Sequence, residues 1–317
     1  MKNVKVMKRK FKEDSIMHIY QRTIDGFNIF YCLEDFIVFY TIVSVFARKY
    51  KVRLLGMCLM IDHTHLLAAG EELSELSRFV SAYTSRFVLD FNRYTGRKGP
   101  LFKKAYGSAI KSDSKRIRSA INYVFNNAVE KKLCMRAEDY LWNFLRFYST
   151  DMKDIPAEGG SLSRKLKRSM KMVKDCFMKR EYLRYEILDT IYKKLSNGEK
   201  RMLTEYIIKL YFPFAAEETT GYYKSFEDMI TAINSNTGSE YEIREKHYGK
   251  TDVPYREIMA CLKSMDIHDA RAVITMKNDA KMQLADILKE KTTASYTQIR
   301  KFLQINSINK RQERHKK

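Results

Sequence analysis

Paired cysteines and long apolar runs are what the sequence most obviously lacks. Its 317 residues include five cysteines and no Cys-x-x-Cys pair, which argues against a cysteine zinc site and indicates reduced thiols in a cytoplasm. The longest apolar run, Phe36 to Ala47, is too short to cross a bilayer. The basic segment from Met1 to Lys12 lacks the apolar stretch of a secretory signal. We therefore expect a cytoplasmic protein with no membrane partner.

Acidic residues are also few, and the resulting charge is the strongest global feature of the chain. Lysine and arginine number 59 against 38 aspartate and glutamate residues, which gives a formal net charge of +21. A positive field of this size favours a polyanion, and nucleic acid is the commonest one in a cytoplasm. With 45% hydrophobic residues the chain is globular, and its length is sufficient for two domains.

The order of elements in the first 130 residues predicts an α+β fold of the ferredoxin-like type. Strands are predicted at 15–23, 51–60, 63–70 and 101–110, and helices at 33–50, from residue 73 to about 96, and after a cap at 112 or 113. This β-α-β-β-α-β order, followed by a helix, is typical of the split βαβ arrangement, an antiparallel sheet with helices on one face. We expect the other face to be free to meet a ligand.

Two histidines stand at the start of the returning strand of the central predicted hairpin. Side chains alternate along a strand, so His63 and His65 point to the same face while Thr64 points to the other. Their imidazoles, about 6–7 Å apart, are well placed to bind one divalent metal ion. The plain alternative is two polar residues on a solvated strand face.

The helix after the fourth strand supplies candidate partners for the two histidines. Arg116, Tyr123 and Asn127 lie at spacings of seven and four, which puts them on one helical face, away from the apolar side. The amide oxygen of Asn127 can complete a metal site. A cation beside Tyr123 would stabilise its phenolate, because a phenol with its ordinary pKa of about 10 attacks poorly. The alternative is that Tyr123 is one of 21 tyrosines and Asn127 a polar surface residue.

Four segments of the chain carry patterns that occur together in one known family. They are His18 to Arg22, Met60 to Leu67, Phe91 to Tyr106, and Tyr123 to Val129. In this order they resemble the single-tyrosine HUH (IS200-like) transposases, most closely the REP-associated tyrosine transposase branch. The resemblance covers roughly two-fifths of the chain, from about residue 15 to 135. Where the family usually has proline-asparagine before the histidine pair, this chain has Ile61-Asp62, and Asp62 is either an extra ligand or a turn residue.

The resemblance implies a metal-dependent DNA transposase or single-strand endonuclease with an HUH site. Tyr123 would attack a DNA phosphodiester, which gives a 5′-phosphotyrosine link and a free 3′-hydroxyl, while His63, His65 and Asn127 would hold Mg²⁺ or Mn²⁺. Substrates of the family are single strands with small hairpins, commonly palindromic repeats. We expect a monomer or homodimer associated with a prokaryotic nucleoid. The alternatives are a DNA- or RNA-binding regulator without chemistry on the same fold, and a zinc hydrolase, which lacks an evident carboxylate base.

Basic residues near the predicted site are candidates for contacts with DNA phosphates. His18 and Arg22 share a strand face; we predict a structural role for His18, whereas Arg22 either contacts DNA or stabilises the strand. The predicted nucleic-acid-binding set is Arg22, Lys103, Lys104, Lys111, Arg116 and Arg118. The alternative is a solvated basic edge.

Past residue 150 the chain has a helical pattern. We predict a basic arm (1–14), the HUH domain (15–150), a linker (151–163), a helical domain (164–308) and a basic tail (309–317). Within the helical domain, 164–180 is a basic helix that either follows a DNA backbone or is simply solvated. Residues 281–305 have helix-turn-helix proportions, with Ser295, Thr297, Gln298 and Arg300 predicted to face a groove. Two short helices of an ordinary helical domain are the alternative.

Overall fold

The described residues between 15 and 130 form the predicted sheet and its helices. The structure, a computed structural model, describes residues 15–103, 105–149, 162–235 and 251–306. The elements of this part are β1 (Ile16–Arg22), α1 (Leu33–Lys49), β2 (Arg53–Met60), β3 (His63–Ala69), α2 (Leu73–Thr95), β4 (Gly107–Lys111) and α3 (Ser114–Glu130). The strands pair antiparallel in the order β2-β3-β1-β4. The ferredoxin-like α+β prediction is confirmed.

Local chemistry explains why the helices begin and end where the sequence predicts. The Asp35 carboxylate accepts hydrogen bonds from the backbone N–H groups of Tyr31 and Cys32, at 2.8 and 3.2 Å, and so caps the start of α1. Gly96 ends α2 in the left-handed conformation, with φ of 72°. The Asp113 side chain caps α3 by accepting from a backbone N–H of the first turn.

Helices cover both faces of the sheet, which corrects the prediction of a free face. On one face, under α1 and α2, Gln21 hydrogen-bonds to the side chains of Tyr83 and Thr84 at 2.6 and 2.8 Å. On the other face α3 lies so close that a Cβ at Gly56 would be 2.9 Å from the ring of Phe125. Amphipathicity shows that a helix packs on something, but it does not show which face of the sheet the helix covers.

The fourth strand is shorter than the predicted span of 101–110. Leu101 and Phe102 are buried, and two backbone hydrogen bonds pair this segment with the end of β1: the Ile24 N–H donates to the Leu101 carbonyl at 2.9 Å and the Lys103 N–H donates to the Arg22 carbonyl at 3.0 Å. Regular pairing with β1 begins at Gly107, opposite Tyr20. The predicted strand therefore corresponds to two separate paired segments, a short one at 101–103 and the regular strand β4.

The described residues from 162 onward are mainly helical and pack onto the sheet. The helices are α4 (Arg164–Met178), α5 (Tyr185–Tyr192), α6 (Asn197–Tyr211), α7 (Ala216–Thr220), α8 (Phe226–Asn234), α9 (Val253–Ser264), α10 (Asn278–Lys291) and α11 (Tyr296–Phe302). The Tyr40 hydroxyl donates to the Ile208 carbonyl at 2.7 Å, and the Ala215 N–H donates to the Leu54 carbonyl at 2.8 Å. None of the described helices is long and apolar enough to cross a membrane.

The predicted helix-turn-helix segment forms two helices, α10 and α11, and two of the four residues predicted to face a groove, Gln298 and Arg300, contact the protein instead. Of the other two, Ser295 caps α11 and Thr297 is exposed. Gln298 is buried and donates to the Thr251 carbonyl at 2.8 Å. Arg300 donates to the carbonyls of Ile305 and Asp25, at 2.9 and 3.3 Å. These two side chains hold α11 against the rest of the protein, so they do not face a DNA groove as predicted.

Three predicted segments fall largely or wholly outside the described residues. They are the basic arm (1–14), the linker (151–163, of which 162 and 163 are described) and the basic tail (309–317). The predicted division into an HUH domain and a helical domain stays a prediction.

Candidate active site

The two predicted histidines lie side by side between the sheet and α3. In the ladder with β1, His65 pairs with Tyr20 and His63 with Arg22, so both imidazoles point to the face that α3 covers. Their ring centroids are 5.0 Å apart. His65 is fully buried and His63 is 9% exposed. A solvated strand face, the plain alternative, is excluded.

Helix α3 brings the predicted tyrosine and asparagine to the same place. The Tyr123 ring centroid is 5.4 Å from that of His65 and 5.8 Å from that of His18. Nδ2 of Asn127 is 3.4 Å from Nε2 of His65. The structure therefore groups all four residues that sequence spacing predicted for the site.

Each histidine of the pair has its Nδ1 atom held by another side chain. Nδ1 of His65 is 3.0 Å from Nε2 of His18, and Nδ1 of His63 is 2.7 Å from Oδ1 of Asp62. A partner on one ring nitrogen fixes the ring orientation, so a metal ion would have to bind at Nε2, the atom that faces Asn127 in His65. Asp62, left open between ligand and turn residue, lies in the turn and orients His63. His18 does more than stabilise its strand, because it contacts His65 directly.

The Asp62 carboxylate also contacts a cation from helix α11. Nζ of Lys301 is 3.0 Å from Oδ2 of Asp62. Burial works to raise the pKa of Asp62, but the hydrogen bond and charge of His63 and the Lys301 ammonium together hold that pKa well below its usual range. The carboxylate is therefore ionised at neutral pH.

Two residues near this carboxylate were missed in the sequence. Lys301 is separated from Asp62 by 239 positions, and Asp252 lies close enough for the charge of Asp62 to raise its pKa. Neither residue stands in a motif with the histidines. No spacing rule connects such distant positions, so only the packing of α9 and α11 reveals them.

The donor set fits a divalent transition metal. Oδ1 of Asn127 is buried and has no hydrogen-bond partner among the described residues, as expected for an oxygen that a cation would contact. The described residues contain no group of three or more His, Cys, Asp or Glu side chains that could hold a metal ion, so a metal site at the histidine pair would need this amide oxygen as a further ligand. Two imidazoles and an amide oxygen suit Mn²⁺ better than Mg²⁺, which favours an all-oxygen shell.

Burial of the tyrosine departs from the prediction. Tyr123 is 1% exposed and Asn127 is 2% exposed, although both were predicted on a face away from the apolar side of the helix. Helix α3 is covered by the sheet on one side and by α8 on the other. A ligand would therefore contact the phenol only if part of this covering moved.

The predicted phosphate contacts differ in their surroundings. Arg22, Lys103, Arg116 and Arg118 are exposed. Arg116 lies 3.3 Å from Asp113, and the guanidinium of Arg118 stacks over Tyr223 at 5.9 Å. Lys111 is only 1% exposed, so a phosphate contact there requires the end of β4 to open. Lys104 lies outside the described residues.

Comparison with known proteins gives one family for the sheet domain. Residues 16–127, from β1 to the asparagine of α3, match the family "Transposase IS200 like". A solved structure described as "Structure of the REP associates tyrosine transposase bound to a REP hairpin" is 12% identical, with a TM-score of 0.35. The similarity covers 43% of this chain and 79% of that one. No curated protein matches the chain significantly. The region that holds the candidate site is thus similar to IS200-like transposases.

Proposed function

We propose that the protein is a metal-dependent DNA transposase or single-strand endonuclease in which Tyr123 is the nucleophile. The observation that supports this most directly is the convergence of Tyr123, the histidine pair and Asn127 within the segment similar to IS200-like transposases. The amide oxygen of Asn127 is buried beside the histidines and accepts no hydrogen bond from the described residues. Histidines with a purely structural role do not explain why this oxygen is left without a partner.

The proposed reaction is a reversible exchange of phosphodiester bonds. The Tyr123 hydroxyl oxygen bonds to the phosphorus and loses its proton, the bond from phosphorus to the 3′-oxygen breaks, and the leaving oxygen takes up a proton as a 3′-hydroxyl. The DNA is left on the enzyme as a 5′-phosphotyrosine, and attack by a 3′-hydroxyl reverses the step without ATP. A Mn²⁺ or Mg²⁺ ion held by His63, His65 and Asn127 would supply positive charge at the phosphate.

The proposed substrate is single-stranded DNA that contains hairpins or palindromic repeats. The similar protein of known structure is described as bound to a REP hairpin. Four exposed cations of this chain, Arg22, Lys103, Arg116 and Arg118, offer contacts for the phosphates that surround a scissile bond. We infer that the protein acts as a monomer or homodimer on the nucleoid of a prokaryotic cell.

Covalent trapping tests this proposal. Hairpin oligonucleotides drawn from the host's own repeats are labelled at the 3′ end or the 5′ end, incubated with the protein and Mn²⁺, and run on a denaturing gel. We expect a labelled protein only with the 3′ label, because the strand 3′ of the break carries the phosphotyrosine. The adduct should disappear in Tyr123→Phe and with chelator, and persist in Tyr20→Phe, a tyrosine on the same sheet face. An adduct carrying only the 5′ label would refute this polarity.

Burial of the phenol favours a second candidate, a nucleic-acid-binding regulator without chemistry. Tyr123 is 1% exposed, which suits a packing residue as well as a shielded nucleophile. This candidate predicts no adduct with either label. It also predicts equal, metal-independent DNA affinity for the natural protein and Tyr123→Phe.

A further inference from the structure

A chain of two polar contacts links helix α11 to the histidine pair. Nζ of Lys301 lies 3.0 Å from Oδ2 of Asp62, and Oδ1 of the same carboxylate lies 2.7 Å from Nδ1 of His63. Asp62 and His63 belong to the segment similar to IS200-like transposases, whereas Lys301 lies far outside it. The ammonium group of Lys301 is thus one contact between the helical part of the protein and the candidate metal site.

The position of Lys301 is fixed on several sides. Its carbonyl accepts from the Asn28 N–H at 3.2 Å, and the neighbouring Phe302 carbonyl accepts from the Tyr31 hydroxyl at 2.7 Å. Gly26 has φ of 68°, and a Cβ there would lie 2.8 Å from Cε of Lys301. The lysine side chain therefore occupies the space that a side chain at position 26 would fill. These contacts fix the position of Lys301 beside Asp62.

The geometry of the carboxylate explains what this contact can do. One oxygen of Asp62 holds His63 and the other holds Lys301, so the carboxylate cannot rotate without breaking a charged hydrogen bond. A carboxylate fixed in this way orients the imidazole of His63 through its Nδ1 atom, and a metal ion held by this ring would bind at Nε2.

We propose that Lys301 is a positioning residue for the candidate metal site and acts on His63 through Asp62. This inference rests on the metal site of the proposed function. It gives helix α11 a role in the candidate site, because a protein without α11 would keep His63 and Asp62 and lose the ammonium group that holds the Asp62 carboxylate.

A positioning role and a purely electrostatic effect predict opposite changes in metal affinity when Lys301 is replaced. Removing a positive charge close to a cation site strengthens binding of a divalent ion if only the field matters. Removing a positioning partner weakens it, and loss of such outer contacts typically costs 10–100-fold in metal affinity. The direction of the change in metal affinity therefore distinguishes a positioning role from an electrostatic effect.

The experiment measures Mn²⁺ binding to the full chain without DNA, by titration with electron paramagnetic resonance detection of the free ion. We expect the Mn²⁺ Kd of Lys301→Met to rise about 10–100-fold, and that of Lys301→Arg to stay within a few-fold of the natural protein. Lys289→Met is the matched control, because Lys289 on α10 donates to the Ala294 carbonyl and does not contact Asp62. His63→Ala should abolish binding, which identifies the site. Thermal melts in chelator show whether each variant is folded.

The outcomes separate the two proposals. Unchanged or tighter Mn²⁺ binding by folded Lys301→Met overturns the positioning role and leaves the proposed function intact. Absence of Mn²⁺ binding in the natural protein overturns both the metal site and the positioning role. A fall in melting temperature without a change in Kd shows that Lys301 serves only to hold α11 in place and also overturns the proposal.

Discussion

Asp252 is an acid placed close to another acid, at the edge of the candidate site. Burial, and after it the negative charge of Asp62, raises the pKa of Asp252 to about 6, although nearby cations oppose the shift. In the unfolded chain the same carboxyl has a pKa of about 3.9. The folded protein therefore holds this proton more tightly than the unfolded chain does, so stability falls as the pH rises from about 4 to 6.

Replacing Asp252 by Asn should therefore stabilise the protein at pH values above the pKa of Asp252, and not below it. We expect Asp252→Asn to unfold with a free energy about 1–2 kcal/mol above that of the natural protein at pH 8, and with no difference at pH 4. Urea unfolding in the presence of chelator measures both values. Asp266→Asn, at a side chain that is 94% exposed, is the control and should change neither. A gain of equal size at both pH values would show that Asp252 does not titrate near 6.

Residues of the site that lie on one strand or one helix could be predicted, and those that lie across the fold could not. His63 and His65 follow from the period of a strand, and Tyr123 and Asn127 from the period of a helix. Their mutual approach was implied by the family resemblance. Lys301 reaches the site only through the packing of α11, which no local pattern encodes.

At the scale of elements, the pairing of β4 with β1 depends on a glycine. Gly107 pairs with Tyr20, and a Cβ at position 107 would lie 1.9 Å from Cζ of that ring. A side chain at this position forces the ring, the strand or both to move. The apolar residues 101 and 102 suggested an earlier start for the strand, because a sequence pattern does not show that the pairing at 101–103 is separate from that of β4.

Gly107→Ala should therefore destabilise the protein by about 1–3 kcal/mol, the usual cost of overpacking. The same Gly107→Ala change should cost less in a Tyr20→Ala background, because the ring that the new Cβ would meet is then absent. Gly198→Ala is the matched control, since a Cβ there meets nothing within 4 Å. Denaturant unfolding gives all four values. Equal stability of Gly107→Ala and the natural protein would mean that β4 shifts freely.

Boundaries with chemical caps were predicted well, whereas the covering of the sheet was not. Asp113 and Gly96 mark helix ends by their own hydrogen bonding and conformation, which a sequence shows directly. The position of α3 over the histidines depends on long-range packing. The same holds for α11, whose residues Gln298 and Arg300 bind the rest of the protein and not a groove.

For the whole molecule, the net charge of +21 predicts attraction to DNA but does not locate the contact. Two groups of exposed cations compete for that role. One comprises the site cations Arg22, Lys103, Arg116 and Arg118, and the other lies on α4 and includes Lys165, Lys167, Arg168 and Lys171. Under the proposed function the site cations hold the phosphates around the scissile bond. Binding measured against salt concentration distinguishes defined contacts from a general field.

Changing the four site cations together to Gln should weaken binding of a hairpin oligonucleotide and flatten its salt dependence. Each lost phosphate contact on a single strand lowers the slope of log K against log salt by about 0.7, so four contacts lower it by about 2–3. The four α4 residues changed to Gln remove the same charge and should leave the slope nearly unaltered. Fluorescence anisotropy at several salt concentrations measures both variants. Equal slopes for the two variants would show that the protein attracts DNA by its overall field, and a larger effect of the α4 set would transfer the phosphate contacts to that helix.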